Sequence, residues 1–356
     1  NVADALDLVA LGTVADVAAL DACNRLLVEQ GLRRMRAGRL RPGIAALLAV
    51  GRRSRERLVA ADLGFVVAPR LNAAGRLDDM TLGIRCLLAE DDALAQQCAE
   101  QLDALNRERR SIEGDMQRQA QSALAQLQLQ ELPHGVCLFD PAWHPGVVGI
   151  LAARIKEQHH RPVIAFAPAD GSADRELRGS ARSIEGLHVR DAIAAVDARH
   201  PGLIERFGGH AMAAGLTLAR ENFARFAQAF DEQVRRQLDP QALAPVLLSD
   251  GELPLAQLDL ALAEALRASQ PWGQAFPAPL FDGEFELLEQ RVVGEKHLKV
   301  VLSSADANGR VVDGIAFNAD FAQWPAGAGR VRLAYRVDVN EYRGLRTPQL
   351  VIEQAE

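Results

Sequence analysis

The chain has 356 residues, is 49% hydrophobic and 24% charged, and has no low-complexity stretch. That composition excludes a disordered or fibrous protein and supports more than one buried core. The net charge of −7 speaks against a protein that coats nucleic acid along its whole surface. No apolar run approaches the roughly 20 residues of a membrane-spanning helix. Asn1–Asp4 carry no basic start of a secretory signal, and the absence of an initial Met reads as a fragment or a trimmed product. Cys23, Cys86, Cys98 and Cys137 lack CxxC spacing and read as scattered buried thiols of a reducing, cytoplasmic setting.

Residues 1–85 open with the apolar run Leu6–Leu11, closed by Gly12 and Thr13, which predicts a buried strand. Val17–Met35 predicts a helix stopped by Gly38, and strand followed by helix points to α/β. Asp16 then sits at a strand's carboxyl end, where open α/β sheets bind ligands and a carboxylate suits a divalent metal. It equally suits the N-cap of the following helix. Nine arginines from Arg33 to Arg57 face Glu56 alone, as a phosphate-attracting patch or a solvated helix face. In Pro69–Asp79, Arg70 and Arg76 flank Asn72, Ala73, Ala74 and Gly75. Small residues admit a ligand and guanidinium forks suit phosphate. The alternative is a loop closed by ion pairs to Asp78 or Asp79.

Residues 87–129 carry Leu94, Leu102, Leu105, Ile112, Met116, Leu124 and Leu127 at helical spacing, ended by Pro133. This predicts a long helix, or two in line, that connects domains. Gly135–Phe139, Gly146–Gln158 and Pro162–Phe166 predict a βαβ unit. His144 precedes that helix as a cap or a secondary contact, and His159 and His160 read as solvent-facing. Gly179–Ser183 reads as a small loop offering Ser180, Arg182 and N–H groups to an anion, or as an ordinary turn. In Phe207–Gly215, Gly208 and Gly209 admit a ligand and His210 can donate to a phosphate or a leaving oxygen. The small residues that follow suit a helix start, and a packed core histidine is the alternative. Beyond Pro240 come a helix near Leu255–Ala268 and five strands: Gly283–Val293, His297–Ser303, Val311–Phe317, Val331–Val339 and Pro348–Ile352. They predict a small β-barrel, with the OB-fold as leading candidate.

Taken in order, GTVAD, PRLNAAGRLDD, a long helix, WHPGVVGI, GSARS and FGGHAMAAG resemble the RecJ exonucleases of the DHH phosphoesterase superfamily. The likeness continues into GEKHLKV and DGIAFN. It implies an α/β chain with the C-terminal part of a DHH domain at 1–85, a connecting helix at 86–131, a DHHA1 domain at 132–239 and an OB-fold at 240–356. It also implies 5′-to-3′ degradation of single-stranded DNA with Mn²⁺ or Mg²⁺, in recombination and repair. Asp16 then corresponds to a metal-ligand aspartate, and the catalytic residues present are Asp16 and His210. Arg70, Asn72, Arg76, Ser180 and Arg182 correspond to contacts with the 5′-terminal phosphate and nearby backbone. Gly208, Gly209 and His210 correspond to the substrate loop. Lys296, Lys299, Tyr335, Arg336, Tyr342, Arg343 and Arg346 are candidate barrel contacts, with Tyr335 alternatively in the core. The partners implied are single-stranded DNA, a single-strand-binding protein and a RecQ-type helicase, for a monomer away from membranes. The DHH triplet and earlier aspartates are not in the chain, so the chain alone is expected to be inactive. Two rivals are a DHH-type phosphodiesterase for short oligonucleotides or cyclic dinucleotides, disfavoured by the long β region, and a non-catalytic DNA-binding module.

Overall fold

The computed structural model describes residues 2–127, 132–169, 175–294, 297–304, 309–319, 321, 324–325 and 329–356, with the backbone alone for 123–127. Lys296 and the side chains of Leu124 and Leu127 lie outside the described residues. The chain divides into two compact units. One is Asn1–Pro69, Arg85–Ala99 and Leu247–Glu356; the other is Arg70–Ile84 and Glu100–Val246.

The first unit begins with helices. The run expected to be a strand is helix α1 (Leu6–Ala15). A short apolar run cannot be told from a buried helix by periodicity. Here Asp7, buried at the first turn, accepts from the N–H of Leu8 at 2.8 Å and of Arg41 at 3.0 Å. Helix α2 (Ala22–Arg36) starts later than Val17, because Asp21 is its N-cap and accepts from Asn24 N at 2.8 Å. Asp16 is therefore not that cap; it ends α1, its N–H donating to Gly12 O at 3.0 Å. Gly38, at φ 81°, follows α2 as the stop. Gly31 allows α1 and α2 to approach, since a Cβ there would lie 2.4 Å from Leu6 O.

Helix α3 (Pro42–Val50), the single turn α4 (Ala60–Asp62) and a π-helical turn (Leu63–Val67) lead into α5 (Ala68–Leu77) and α6 (Thr81–Leu88). So the described part of residues 1–85 is helical wherever it is regular and contributes no strand. Helix α7 (Asp92–Leu127) is the long helix expected, 36 residues without a break.

The second unit holds a five-stranded sheet. Its strands are β1 (Val136–Phe139), β2 (Val163–Pro168), β3 (Glu176–Arg182), β4 (Arg206–Gly209) and β5 (Ala213–Ala219), in the order β1-β2-β3-β5-β4. β1 and β2 pair in parallel across helix α8 (Val148–His159), the βαβ unit expected; the remaining pairs are antiparallel. Leu151, Ala152 and Ile155 of α8 share one core with Met116 and Ala120 of α7. Helices α9 (Val189–Arg199) and α10 (Phe223–Gln237) bury Ile193, Phe226 and Phe230 with Leu177 and Ala181 of β3.

Two local expectations change here. Gly179–Arg182 lies on strand β3 and is no loop, because β3 is paired on both sides. The segment after Gly208 and Gly209 is a β-hairpin and no helix start. His159 and His160 are half-buried.

Back in the first unit, helix α11 (Leu260–Ser269) precedes strands β6 (Phe281–Val293), β7 (His297–Ser303), β8 (Val312–Ala316), β9 (Arg330–Tyr342) and β10 (Leu345–Ala355). They form a closed barrel in the order β10-β8-β7-β6-β9. The alternation read in the sequence fills it: Val331, Leu333, Tyr335, Val337 and Val339 of β9 all point into the core. Arg343 and Gly344 both have positive φ, 51° and 81°, as the tight β9–β10 turn demands. Among the cysteines Cys86 and Cys98 are buried and Cys137 is half-buried, but Cys23 is exposed on α2.

Candidate phosphate-binding site

On β3 the side chains alternate. Leu177, Gly179 and Ala181 are buried on the α9–α10 side, which leaves Arg178, Ser180 and Arg182 on the side of α8. Arg182 Nη1 donates to Ser180 Oγ at 3.1 Å and to its neighbour's carbonyl, Ala181 O, at 2.8 Å. The start of α8 comes down on this pair. A Cβ on Gly149 would stand 2.9 Å from Arg182 Nη2 and 3.0 Å from Ser180 Oγ. A Cβ on Gly146 would stand 2.3 Å from the carbonyl oxygen of Arg76. Two glycines therefore let Arg76, Ser180 and Arg182 gather around one helix start. His144 does not cap the helix, whose N-cap is Val147; its Nδ1 accepts from Gly146 N at 3.0 Å in the turn just before it.

The charges at this place do not balance. Burial pushes the Arg76 guanidinium below its ordinary range, and the positive charges of Arg109 and Arg182 push it further; Glu113 pulls the other way. Burial likewise depresses Arg182. Glu113 is shared, accepting from Arg109 at 2.5 Å and from Arg154 at 3.3 Å. Arg154 also lies 3.7 Å from the exposed Glu157. A half-buried cluster richer in guanidinium than in carboxylate is short of negative charge, and a phosphate group supplies it with matching geometry.

Beside the cluster the sheet floor is open. Ser180 pairs with Gly215, and Gly215 with Gly208, so the three residues lie side by side on one face. A Cβ on Gly208 would meet nothing within 4 Å. His210 is exposed in the β4–β5 turn, where its N–H donates to Ala213 O at 2.8 Å; it is no core histidine. Ala213 in turn lies opposite Arg182.

Not every expected residue joins in. Arg70 is buried and held by Asp103 of α7, at 2.8 Å from Nη2 and 2.9 Å from Nε. Asn72 is exposed on α5. Pro69–Leu77 is helix, and Asp79 accepts from Thr81 N at 2.9 Å. The sequence reading missed Arg109, Asn106 and Glu113 of α7, and Arg154 of α8. Their signal was available: positions 106, 109 and 113 form a polar stripe on one side of a helix otherwise read for its leucines.

In the first unit Asp16 is exposed at the end of α1. Among the described residues no three His, Cys, Asp or Glu side chains converge as a metal site. The N-terminal arginines are largely paired: Arg33 and Arg36 with Glu29, Arg34 with Asp4, Arg41 with Asp7, Arg53 with Asp62 and Arg57 with Glu341. That favours the solvated, ion-paired face over a phosphate patch. On the barrel, Lys299 pairs with Asp313 at 2.6 Å, Arg336 with Glu353 at 3.2 Å and Arg346 with Glu264 at 2.6 Å. Arg343 stacks its guanidinium 5.2 Å from the exposed Tyr342 ring. Tyr335 is fully buried in the barrel core against Phe285, so it is no strand contact.

Residues 127–236 match the family model described as the DHHA1 domain, and residues 249–354 that of the RecJ OB domain. The chain is 56% identical over 356 residues to the single-stranded-DNA-specific exonuclease RecJ of Dickeya dadantii, covering 99% of this chain and 61% of the relative. Crystal structures of RecJ from Thermus thermophilus, one with Mg²⁺ and one with Mn²⁺, match 99% of this chain with a TM-score of 0.78, at 29% and 30% identity. They are covered to 52% and 50%, so the chain spans about three fifths of the curated relatives' length and half of the solved ones. No helix among the described residues is long and apolar enough to cross a membrane. The two domain models in their order and the near-complete coverage at this identity agree on one assignment: the chain belongs to the RecJ family.

Proposed function

We propose that this chain is the strand-holding part of a 5′-to-3′ exonuclease that degrades single-stranded DNA in recombination and repair, working in the cytoplasm. The observation that carries the reading is the gathering of Arg76, Ser180 and Arg182 at the start of α8. A terminal phosphate has a second pKa of about 6 and is a dianion at neutral pH, whereas an internal phosphodiester carries one charge. The cluster suits the former. On this reading Gly208 and Gly215 leave room for the strand's sugar–phosphate backbone, and His210 donates to a phosphate or a leaving oxygen. The exposed Tyr342 and Arg343 of the barrel suit base stacking. On this reading the chain divides at 1–85, 86–131, 132–239 and 240–356. A single-strand-binding protein and a RecQ-type helicase supply the strand to a monomer.

The metal half is thinner. The ion in this reading is Mn²⁺ or Mg²⁺, with Asp16 as one ligand. A single exposed carboxylate does not make a divalent site, which needs several oxygen ligands. The chain by itself should therefore grip a 5′-phosphorylated strand without cutting it.

The test is anisotropy binding of a 5′-phosphorylated and a 5′-hydroxyl oligonucleotide. Charged hydrogen bonds are worth roughly 1.5–3 kcal/mol, so Arg182→Ala should weaken the phosphorylated strand by about tenfold or more and the hydroxyl strand much less. Binding should also weaken as salt rises. Equal losses for the two strands would remove the end-pocket assignment.

A further inference from the structure

The long helix α7 carries a polar group that connection between domains does not explain. Asn106 is 1% exposed and Arg109 8% exposed. Asn106 Oδ1 accepts twice from Arg109, from Nη2 at 3.2 Å and from Nε at 3.4 Å. Glu113, one turn on, takes Arg109 Nη1 at 2.5 Å. These contacts fix both edges of the guanidinium. They also leave Asn106 Nδ2 buried with no hydrogen-bond partner. A buried donor without a partner lowers stability. The unpartnered Nδ2 offsets part of what Asn106 adds to stability, while its Oδ1 orients Arg109.

The same group is tied to the phosphate cluster from two directions. Glu113 also accepts from Arg154 of α8, the helix whose Gly149 abuts Arg182 and Ser180. Ile112 of α7 and Leu77, the residue after Arg76, pack against one core with Trp143 and Val147. The charge of Arg109 acts on Arg76 more strongly than that of Arg182 does.

Resting on the phosphate reading of Arg76, Ser180 and Arg182, we infer that Arg109, held by Asn106 and Glu113, sets the site's selectivity for a doubly charged 5′ end. Arg109 is a positioning residue: held by Asn106 and Glu113, it adds positive potential where the terminal phosphate sits. Its effect scales with ligand charge. A dianion gains from it twice what a monoanion of the same shape gains, and a neutral end gains nothing. The recognition is then of charge state as well as of shape, and part of it comes from the helix and not from the sheet.

The test uses the 356-residue chain and three oligonucleotides of one sequence, ending in 5′-phosphate, 5′-methyl phosphate and 5′-hydroxyl. The methyl ester keeps the phosphorus and loses one charge. The readout is the ratio of affinities for phosphate and methyl phosphate, measured by anisotropy. Arg109→Gln should reduce that ratio by about fivefold, the order expected for one unit charge a few ångströms away at a partly screened site. Asn106→Leu keeps the arginine and removes its orienting acceptor. It should reduce the ratio by about twofold or more; the melting temperature falls as well, because Arg109 Nε and Nη2 are left buried without their acceptor. A merely structural Asn106 would lower the melting temperature and leave the ratio alone. If Arg109→Gln does not fold, Asn106→Leu decides. A wild-type ratio in the folded variants overturns the inference. The underlying reading fails separately: it falls if the wild-type chain does not prefer 5′-phosphate to 5′-hydroxyl, or if Arg182→Ala leaves that preference intact.

Discussion

Arg182 and Cys86 show how burial acts on two kinds of side chain. For Arg182 and Arg76, burial opposes a charge the side chain carries at any ordinary pH, so the cost persists until an anion arrives. For Cys86, burial opposes a charge the thiol can avoid. Its pKa rises from 9.0 to about 11, through burial first and the neighbouring Cys98 second. The folded state thus favours the neutral thiol. The resulting stabilisation is fully present below pH 9.0, and is lost as pH climbs towards about 11. Cys23 lies on the surface. At about pH 8, below the thiol's ordinary range, a thiol reagent should label Cys23 in the native chain at once, and Cys86 only as the chain opens. Mass spectrometry of the modified peptides checks this, and rapid native labelling at Cys86 would contradict its burial.

Elements differ in how plainly the sequence announces them. The barrel strands and the βαβ unit were legible because their core residues alternate or run continuously between turn signals. Helix α1 was not, since Leu6–Leu11 is too short for either period to show. β3 was misread because Gly179, Ser180 and Ala181 have little strand preference of their own; pairing with β2 and β5 imposes the strand. The hairpin after Gly208 was misread for a similar reason: its small residues fit a helix start as well as a close cross-strand approach. At the site, Arg76, Ser180 and Arg182 were legible through the order of motifs. Arg109 was not, because the apolar stripe dominates the pattern of α7 and a lone arginine among many charged residues does not stand out. The same helix offers a test of its own. Gly114 lies mid-helix, and a Cβ there would meet only Arg118 Nη1 at 3.7 Å, an ordinary contact. Gly114→Ala should stabilise the chain by about 0.5–1 kcal/mol. Chemical denaturation measures it, and a loss would mean the helix needs that glycine's freedom.

Over the whole molecule, a net charge of −7 coexists with a local surplus of guanidinium. Long-range attraction to DNA is then weak, and binding concentrates where the surplus is. An anion that relieves the repulsion binds the folded chain and not the unfolded one, so it stabilises by mass action. Inorganic phosphate should raise the melting temperature of the wild-type chain, and much less that of Arg182→Ala; calorimetry at constant ionic strength separates this from general salt effects. Equal shifts would place the anion elsewhere.

The two sheets also leave different borders. The barrel is closed and, among the described residues, offers no strand edge. The five-stranded sheet ends in β4, whose outer side is unpaired among the described residues. An open border is where one molecule can add a strand to another and begin to aggregate. β4 is four residues long, starts at the charged Arg206 and ends in two glycines. Gly208, which keeps the floor clear beside the phosphate cluster, therefore also makes this border a poorer template for self-association. Filling Gly208 with a β-branched side chain would close the floor and make the border more adhesive.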